Sequence, residues 1–161
     1  YSLSTTGWII SVYGAVGMLF AFVGGYIGDK APIRFGLFGF SVLQSIAVII
    51  LVYTDSLWTV YLFAILMGIG FGGRSPLTSA VRGVYFGRLA FASILGVSAI
   101  FLNLALFTAP LYAGYMRDFT GGYEMPFTVV AVVGIVGSAL FLFLGKPELP
   151  AQVVVADGNS T

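Results

Sequence analysis

Five long apolar runs dominate the sequence, and the short segments between them, with the C-terminal tail, hold every charged residue of the chain. A helix that crosses the hydrocarbon core of a bilayer needs about 20 mostly apolar residues. The runs lack polar–apolar alternation and exceed the roughly 10 residues of a barrel strand. The sequence therefore predicts an all-α integral membrane fold with five transmembrane helices. The predicted spans are residues 7–28, 35–53, 57–73, 89–115 and 126–145.

Composition supports a membrane location. Only 8% of the 161 residues are charged, whereas a soluble domain carries about 25%. A small soluble fold could not cover so much apolar surface, because small domains keep a large share of their surface in water. We expect a transmembrane domain over residues 1–147, in contact with membrane lipid, and a polar tail over residues 148–161.

The residues that are absent argue against an enzyme. The chain has no cysteine and no histidine, so disulfides, thiolate or imidazole metal sites and the commonest general base are missing. Asp29 and Asp118 are the carboxylates that lie near span ends in repeated contexts, and the predicted topology puts them on opposite membrane faces. We expect no catalytic residues, no metal and no cofactor. The net charge of +1 gives no reason to expect a nucleic-acid partner.

The distribution of Lys and Arg predicts an orientation, because cytoplasmic loops carry an excess of these residues. With five spans, the first and third connectors and the tail share one side of the membrane. Arg117 stands alone on the other side. We therefore expect a cytoplasmic C-terminus, an external Tyr1 and a location in the cell membrane. The six basic residues of the cytoplasmic side are Lys30, Arg34, Arg74, Arg82, Arg88 and Lys146.

Residues 74–88 read as the longest cytoplasmic loop, since they include three arginines and Pro76. Arg74 would begin this loop, and its guanidinium could reach upward into the span region, although extension to the lipid headgroups is the expected arrangement. On this interpretation no Asp, Glu, Lys or Arg lies at the middle of a span.

Glycines are spaced for helix packing. Gly24 and Gly28 form a GxxxG pair, as do Gly68 and Gly72. Small residues let helix backbones approach closely in lipid, where no hydrophobic force drives helices together. The pairs are explained by ordinary packing, or by a packing face that slides during a conformational cycle.

A charged motif follows the first span: Gly25, Asp29, Lys30, Pro32 and Arg34 in the pattern Gly-x-x-x-Asp-Lys-x-Pro-x-Arg. A basic turn that simply obeys the orientation rule would explain the charges alone. However, the frame of Gly, three residues, Asp, two residues and a turn-forming residue recurs after the fourth span. The members of this second motif are Gly114, Asp118 and Gly121.

These residues resemble the major facilitator superfamily of secondary transporters. The family's loop signature has Gly, Asp and two basic residues where this chain has Gly25, Asp29, Lys30 and Arg34, although Pro32 replaces its second Gly. The resemblance covers residues 1–150 and implies a conformational-switch role for this loop. It also implies a protein of twelve helices in two halves, of which these five are the last. The partner would be the missing N-terminal half of the same transporter.

The resemblance implies a small-molecule substrate site near the membrane midplane, lined in part by the penultimate helix. The polar candidates are Asn103, Ser98 and Thr108 on that helix and Tyr13 on the first span. Asn103 could instead hydrogen-bond to a neighbouring helix.

Residues 72–76 and the Asp118 region resemble the branch of the family that carries monocarboxylates and related organic anions, a branch that usually keeps charged residues within its helices. Transport would proceed by alternating access, as a symporter, antiporter or facilitative carrier. Proton relays run through Asp, Glu or His. With none expected at mid-depth, proton coupling would depend on residues outside this segment. The alternative is a membrane scaffold module or truncated relic that moves nothing.

Overall fold

The structure is a computed structural model that describes residues 3–53 and 56–145. All regular structure within these residues is helical, since a backbone in lipid must satisfy its hydrogen bonds within its own segment or in a closed barrel. The predicted tail, residues 148–161, lies outside the described residues. The helices are α1 (Leu3–Lys30), α2 (Ile33–Val52), α3 (Leu57–Thr120) and α4 (Glu124–Ala139), followed by a 3-10 turn (Leu140–Phe143).

Five helical segments are long and apolar enough to cross a membrane, which confirms the predicted all-α membrane fold. Two of them belong to α3, and we call them the first arm, Leu57–Tyr85, and the second arm, Ala92–Thr120. The remaining three are Leu3–Lys30, Ile33–Val52 and Glu124–Phe143.

The two arms of α3 lie side by side. Phe71 of the first arm and Ser98 of the second line the same cleft. A straight helix would hold residues 27 positions apart at a separation of about 40 Å, at 1.5 Å per residue. The chain must therefore reverse direction within α3, between Arg82 and Ser98.

The prediction of a loop at residues 74–88 is wrong, because these residues continue the helix of the first arm and lead through the reversal in helical conformation. Leu77 explains why the helix continues. Its side chain is only 1% exposed. A Cβ on Gly28 would lie 2.8 Å from its Cδ2, and one on Gly36 would lie 2.6 Å from its Cδ1. The arginines and Pro76 suggested a loop, but Leu77 anchors this stretch between α1 and α2.

The predicted GxxxG pairs lie at the contact between α1 and the first arm. A Cβ on Gly72 would overlap the backbone of Gly17. A Cβ on Gly68 would lie 2.7 Å from the carbonyl oxygen of Tyr13. The absence of side chains on this face thus lets the two backbones touch, as expected for helices that associate in lipid.

The first arm is the centre of the bundle, with α1 and α2 packed against it and α4 packed mainly against α2. Ala64 and Leu77 of the first arm, Ala47 of α2 and Ala131 of α4 are almost fully buried. In contrast, the second arm is exposed along nearly its whole length within this chain. Its surface is therefore available to lipid or to further helices.

Only Ala31 and Pro32 separate α1 from α2. Pro32 has φ −57° and ψ 118°, an extended conformation that suits proline, and the N–H of Ala31 donates to the carbonyl of Ile27 over 2.8 Å. Proline therefore supports a tight connection at the position where the resembled signature has glycine.

Candidate functional site

Arg74 lies near the middle of a membrane-spanning helix. The first arm runs from residue 57 to residue 85, so its midpoint is residue 71 and Arg74 is three residues beyond it, or about 5 Å along the axis. The neighbouring Gly72 and Gly73 touch Gly17 and Gly24 of α1. The structure thus differs from the expectation that no charged residue lies at the middle of a span, because Arg74 stands near the midpoint of this helix. That expectation followed from ending the third span at Gly73.

The guanidinium of Arg74 has no partner in the described part of the chain, where no hydrogen bond or ion pair reaches it. The residue is partly buried. A charge at this depth is costly, and such residues normally face a cavity or pair with a counter-charge. Arg74 is thus a cation with five N–H donors that are free to bind an anionic group.

Arg74 opens onto a cleft between the two arms, which we call the interarm cleft. Its volume is about 470 Å³. Apolar walls are contributed by Phe71, Phe101 and Leu102. The polar lining consists of two arginines and four hydroxyl residues: Arg74, Arg82, Ser75, Thr78, Ser79 and Ser98.

The hydroxyls of the interarm cleft divide into two kinds. Thr78 Oγ1 donates to the carbonyl of Arg74 over 2.9 Å, and Ser79 Oγ donates to the carbonyl of Ser75 over 3.4 Å. Their hydrogens are therefore used within the helix. The hydroxyls of Ser75 and Ser98 make no hydrogen bond to described residues, so they can donate into the cleft. Donors thus outnumber acceptors around Arg74, which favours an anionic ligand.

Tyr13 lies on the α1 side of the same region. It lines a smaller cavity, of about 230 Å³, that shares Phe71 and Ser75 with the interarm cleft. The Tyr13 and Phe71 rings have centroids 6.1 Å apart. Two of the four predicted cavity residues, Tyr13 and Ser98, therefore border the region around Arg74.

Asn103 and Thr108 do not line the interarm cleft. Both are exposed on the second arm, where the amide of Asn103 donates to the carbonyl of Ala99 over 2.8 Å. Thr108 Oγ1 donates to the carbonyl of Leu104 over 2.9 Å. Helix geometry explains the division, because a step of five residues turns about 140° around the axis. Asn103 therefore lies on another face than Ser98, whereas Thr108 is only about 80° from Ser98 around the axis but about 15 Å further along it.

The first predicted motif lies at the ends of α1 and α2. Asp29 and Lys30 are exposed in the last turn of α1, and the Lys30 ammonium lies 4.8 Å from the Tyr26 ring centre. Arg34 lines a cavity of about 290 Å³. A Cβ on Gly25 would meet nothing within 4 Å, whereas one on the neighbouring Gly24 would overlap the backbone of Gly73.

The second predicted motif ends α3. Gly121 adopts φ 75°, the left-handed conformation that ends many helices, and its N–H donates to the carbonyl of Arg117 over 2.8 Å. Gly114 has open space where a Cβ would stand. Asp118 is exposed. The turn-forming role of Gly121 thus has a structural basis, whereas no contact in the described residues explains the spacing of Gly114 and Asp118.

The sequence interpretation placed Arg74 at the lipid headgroups and did not consider Arg82 as a site residue. The sequence does contain a pattern that places these arginines on one face of a helix. The residues at this three- and four-residue spacing are Phe71, Arg74, Ser75, Thr78 and Arg82.

No curated protein matches the chain with significant similarity. The family model described as the Major Facilitator Superfamily matches residues 1–159, nearly the whole sequence. A match of this extent makes the chain a membrane transporter protein that belongs to the major facilitator superfamily.

Proposed function

We propose that this chain is the C-terminal part of a transporter that moves a small organic anion, such as a monocarboxylate, by alternating access. Arg74 binds the negative group of the solute in the interarm cleft. The observation that carries the proposal is an unpaired guanidinium near the midpoint of a span, facing a cleft rich in donors. A guanidinium can bind a carboxylate through two parallel hydrogen bonds, which fixes the position of the solute as well as its charge.

The exposed second arm supports a larger assembly. Its apolar surface is uncovered nearly all round within this chain, whereas the first arm is packed by α1 and α2. We propose that an N-terminal half of the same transporter covers part of this surface and completes the solute site. The two halves would rock about that site, and the loop of Gly25, Asp29, Lys30 and Arg34 would act in that change.

The proposed orientation keeps the C-terminus in the cytoplasm of a cell membrane. Moving Arg74 into a span leaves five basic residues on the cytoplasmic side, one fewer than the six counted from the sequence. Arg117 is still alone on the other side, so the bias persists. The five are Lys30, Arg34, Arg82, Arg88 and Lys146.

Uptake by the complete protein in proteoliposomes tests this function. We expect uptake of at least one labelled monocarboxylate from a panel of small acids, and no uptake of the matching amides. Transport of only neutral or cationic solutes would contradict the proposed substrate class. A protein that moves none of the acids, amides, sugars or amines offered would instead favour the alternative of a scaffold or relic.

A further inference from the structure

Arg74 also lines a second cavity, on the other side of the first arm from the interarm cleft. This rear pocket has a volume of about 210 Å³ and lies between α2, the first arm and α4. Its polar lining is Ser41, Gln44, Ser45 and Arg74, and its wall on α4 includes Gly134. No carboxylate lines it among the described residues.

Three of the four polar side chains of the rear pocket have no hydrogen-bond partner among the described residues. Ser41 is 7% exposed, and its Oγ is buried with no hydrogen-bond partner. The amide of Gln44 and the guanidinium of Arg74 make no hydrogen bond within the described part of the chain. Only Ser45 is satisfied, since its hydroxyl donates to the carbonyl of Ser41 over 3.3 Å. A buried polar group without a partner is costly and calls for an explanation.

A small anion in the rear pocket would offer a hydrogen-bond acceptor to all three of the unpartnered polar residues that line it. The Ser41 hydroxyl, the Gln44 amide and the Arg74 guanidinium are all donors, and one of them carries a positive charge. A water molecule could accept hydrogen bonds from Ser41 and Gln44, but it could not compensate the charge of Arg74. The rear pocket is also less than half the size of the interarm cleft, 210 Å³ against 470 Å³, which favours a smaller occupant than the solute.

We propose that the rear pocket binds a small monovalent anion, chloride in cells, and that this anion competes with the solute for Arg74. Arg74 lines both cavities, so an anion in the rear pocket would weaken its attraction for an anion in the interarm cleft. By linkage, each anion lowers the affinity for the other by the same factor. The competition rests on the proposed role of Arg74 in solute binding, whereas the rear site stands independently of it.

Gly134 offers a way to block the rear pocket without touching the interarm cleft. A Cβ there would lie 2.6 Å from the Ser45 Oγ, so Gly134→Ala adds a methyl group inside the pocket. Gly137 is the matched control, because it lies in the same helix and a Cβ there would meet nothing within 4 Å. Gln44→Leu is a second test that removes a donor at similar volume.

The experiment compares sodium chloride with sodium cyclamate, a bulky anion without a carboxylate, at constant ionic strength, on the purified complete transporter. We expect chloride to raise the unfolding temperature of the wild type and of Gly137→Ala in a concentration-dependent way. Gly134→Ala and Gln44→Leu should lose this response. In uptake assays, chloride at ten times its dissociation constant should raise the KM for the solute by up to about tenfold, with kcat unchanged.

The outcomes separate the two proposals. A wild type that responds equally to both salts, or a Gly134→Ala variant that keeps the chloride response, would overturn the rear anion site. If Gly134→Ala does not fold, an unchanged chloride response in Gln44→Leu overturns it equally. A chloride-dependent unfolding temperature with a chloride-independent KM would retain the site and refute the competition. The proposed function is tested by a different experiment: unchanged solute uptake in an Arg74 variant would contradict it.

Discussion

Gly24 of α1 and Gly73 of α3 lie back to back at the centre of the bundle. A Cβ on Gly24 would overlap the backbone of Gly73, with the Gly73 Cα only 2.8 Å away. Arg74 follows directly, so the contact that holds α1 against the first arm also fixes the backbone that presents the guanidinium.

Replacing Gly24 by alanine should therefore destabilise the protein. Backbone cannot move aside as a flexible side chain can, so we expect a loss of about 1–3 kcal/mol, as for other overpacked positions. Thermal unfolding of the purified protein measures the change. Gly25→Ala is the control, because a Cβ at the next residue meets nothing within 4 Å. Equal effects of the two substitutions would contradict the close contact.

Arg74→Gln should raise thermal stability while it lowers transport. An arginine at the centre of a span costs about 2.5–3.5 kcal/mol by insertion scales, and a neutral amide of similar length costs less. We therefore expect a gain of about 1 kcal/mol or more in the free energy of unfolding. A loss of stability would mean that another part of the transporter pairs with this arginine.

Much of this fold follows from the sequence, since apolar length alone locates the spans and glycine spacing locates the α1–α3 contact. The end of the third span could not be predicted in the same way. Local composition makes Arg74 and Pro76 look like loop residues, and only the burial of Leu77 between Gly28 and Gly36 shows why the helix continues. That burial depends on contacts between residues that are far apart in the sequence, and a hydropathy profile carries no information about such contacts.

Only part of the candidate site could be predicted from the sequence, because the sequence does not give the relative orientation of the helices. Polar residues were identified on the penultimate span, but choosing among them requires knowing which face meets the first arm. The rotation of about 140° per five residues puts Asn103 on a different face from Ser98 and from Thr108, and this follows from sequence alone. It does not say that Ser98 is the one that faces Arg74, because that depends on how the chain reverses within α3.

Cysteine labelling distinguishes these faces. The chain has no cysteine, so a single introduced thiol is the only one in this part of the protein. Ser98→Cys should react with a maleimide in the absence of solute and be protected when a transported acid is present. Asn103→Cys, on another face of the same helix, should keep its labelling rate. Protection of residue 103 but not of residue 98 would contradict the position of the interarm cleft.

A hydrogen bond between Tyr53, which directly follows α2, and Thr128 of α4 predicts energetic coupling between these two helices. Thr128 Oγ1 lies 3.1 Å from the Tyr53 hydroxyl and donates its own hydrogen to the carbonyl of Glu124 over 2.6 Å. Tyr53 must therefore be the donor to Thr128. A double-mutant cycle of Tyr53→Phe and Thr128→Val should give a coupling energy of about 0.6 kcal/mol, typical of such bonds in membranes. Strict additivity in unfolding measurements would exclude the bond.

The central claim is that Arg74 binds the negative group of the solute, and solute uptake by paired arginine variants tests it most directly. The complete protein is reconstituted in proteoliposomes with Arg74→Gln or Arg117→Gln, and initial rates are measured with a transported monocarboxylate. Arg117 lies exposed at the end of α3, with its guanidinium 4.9 Å from the Tyr123 ring centre and outside the interarm cleft. We predict that Arg74→Gln lowers kcat/KM by about tenfold or more, the loss of one charged hydrogen-bonded contact, while Arg117→Gln retains wild-type uptake. Wild-type uptake in Arg74→Gln, with the variant correctly inserted, would contradict the claim.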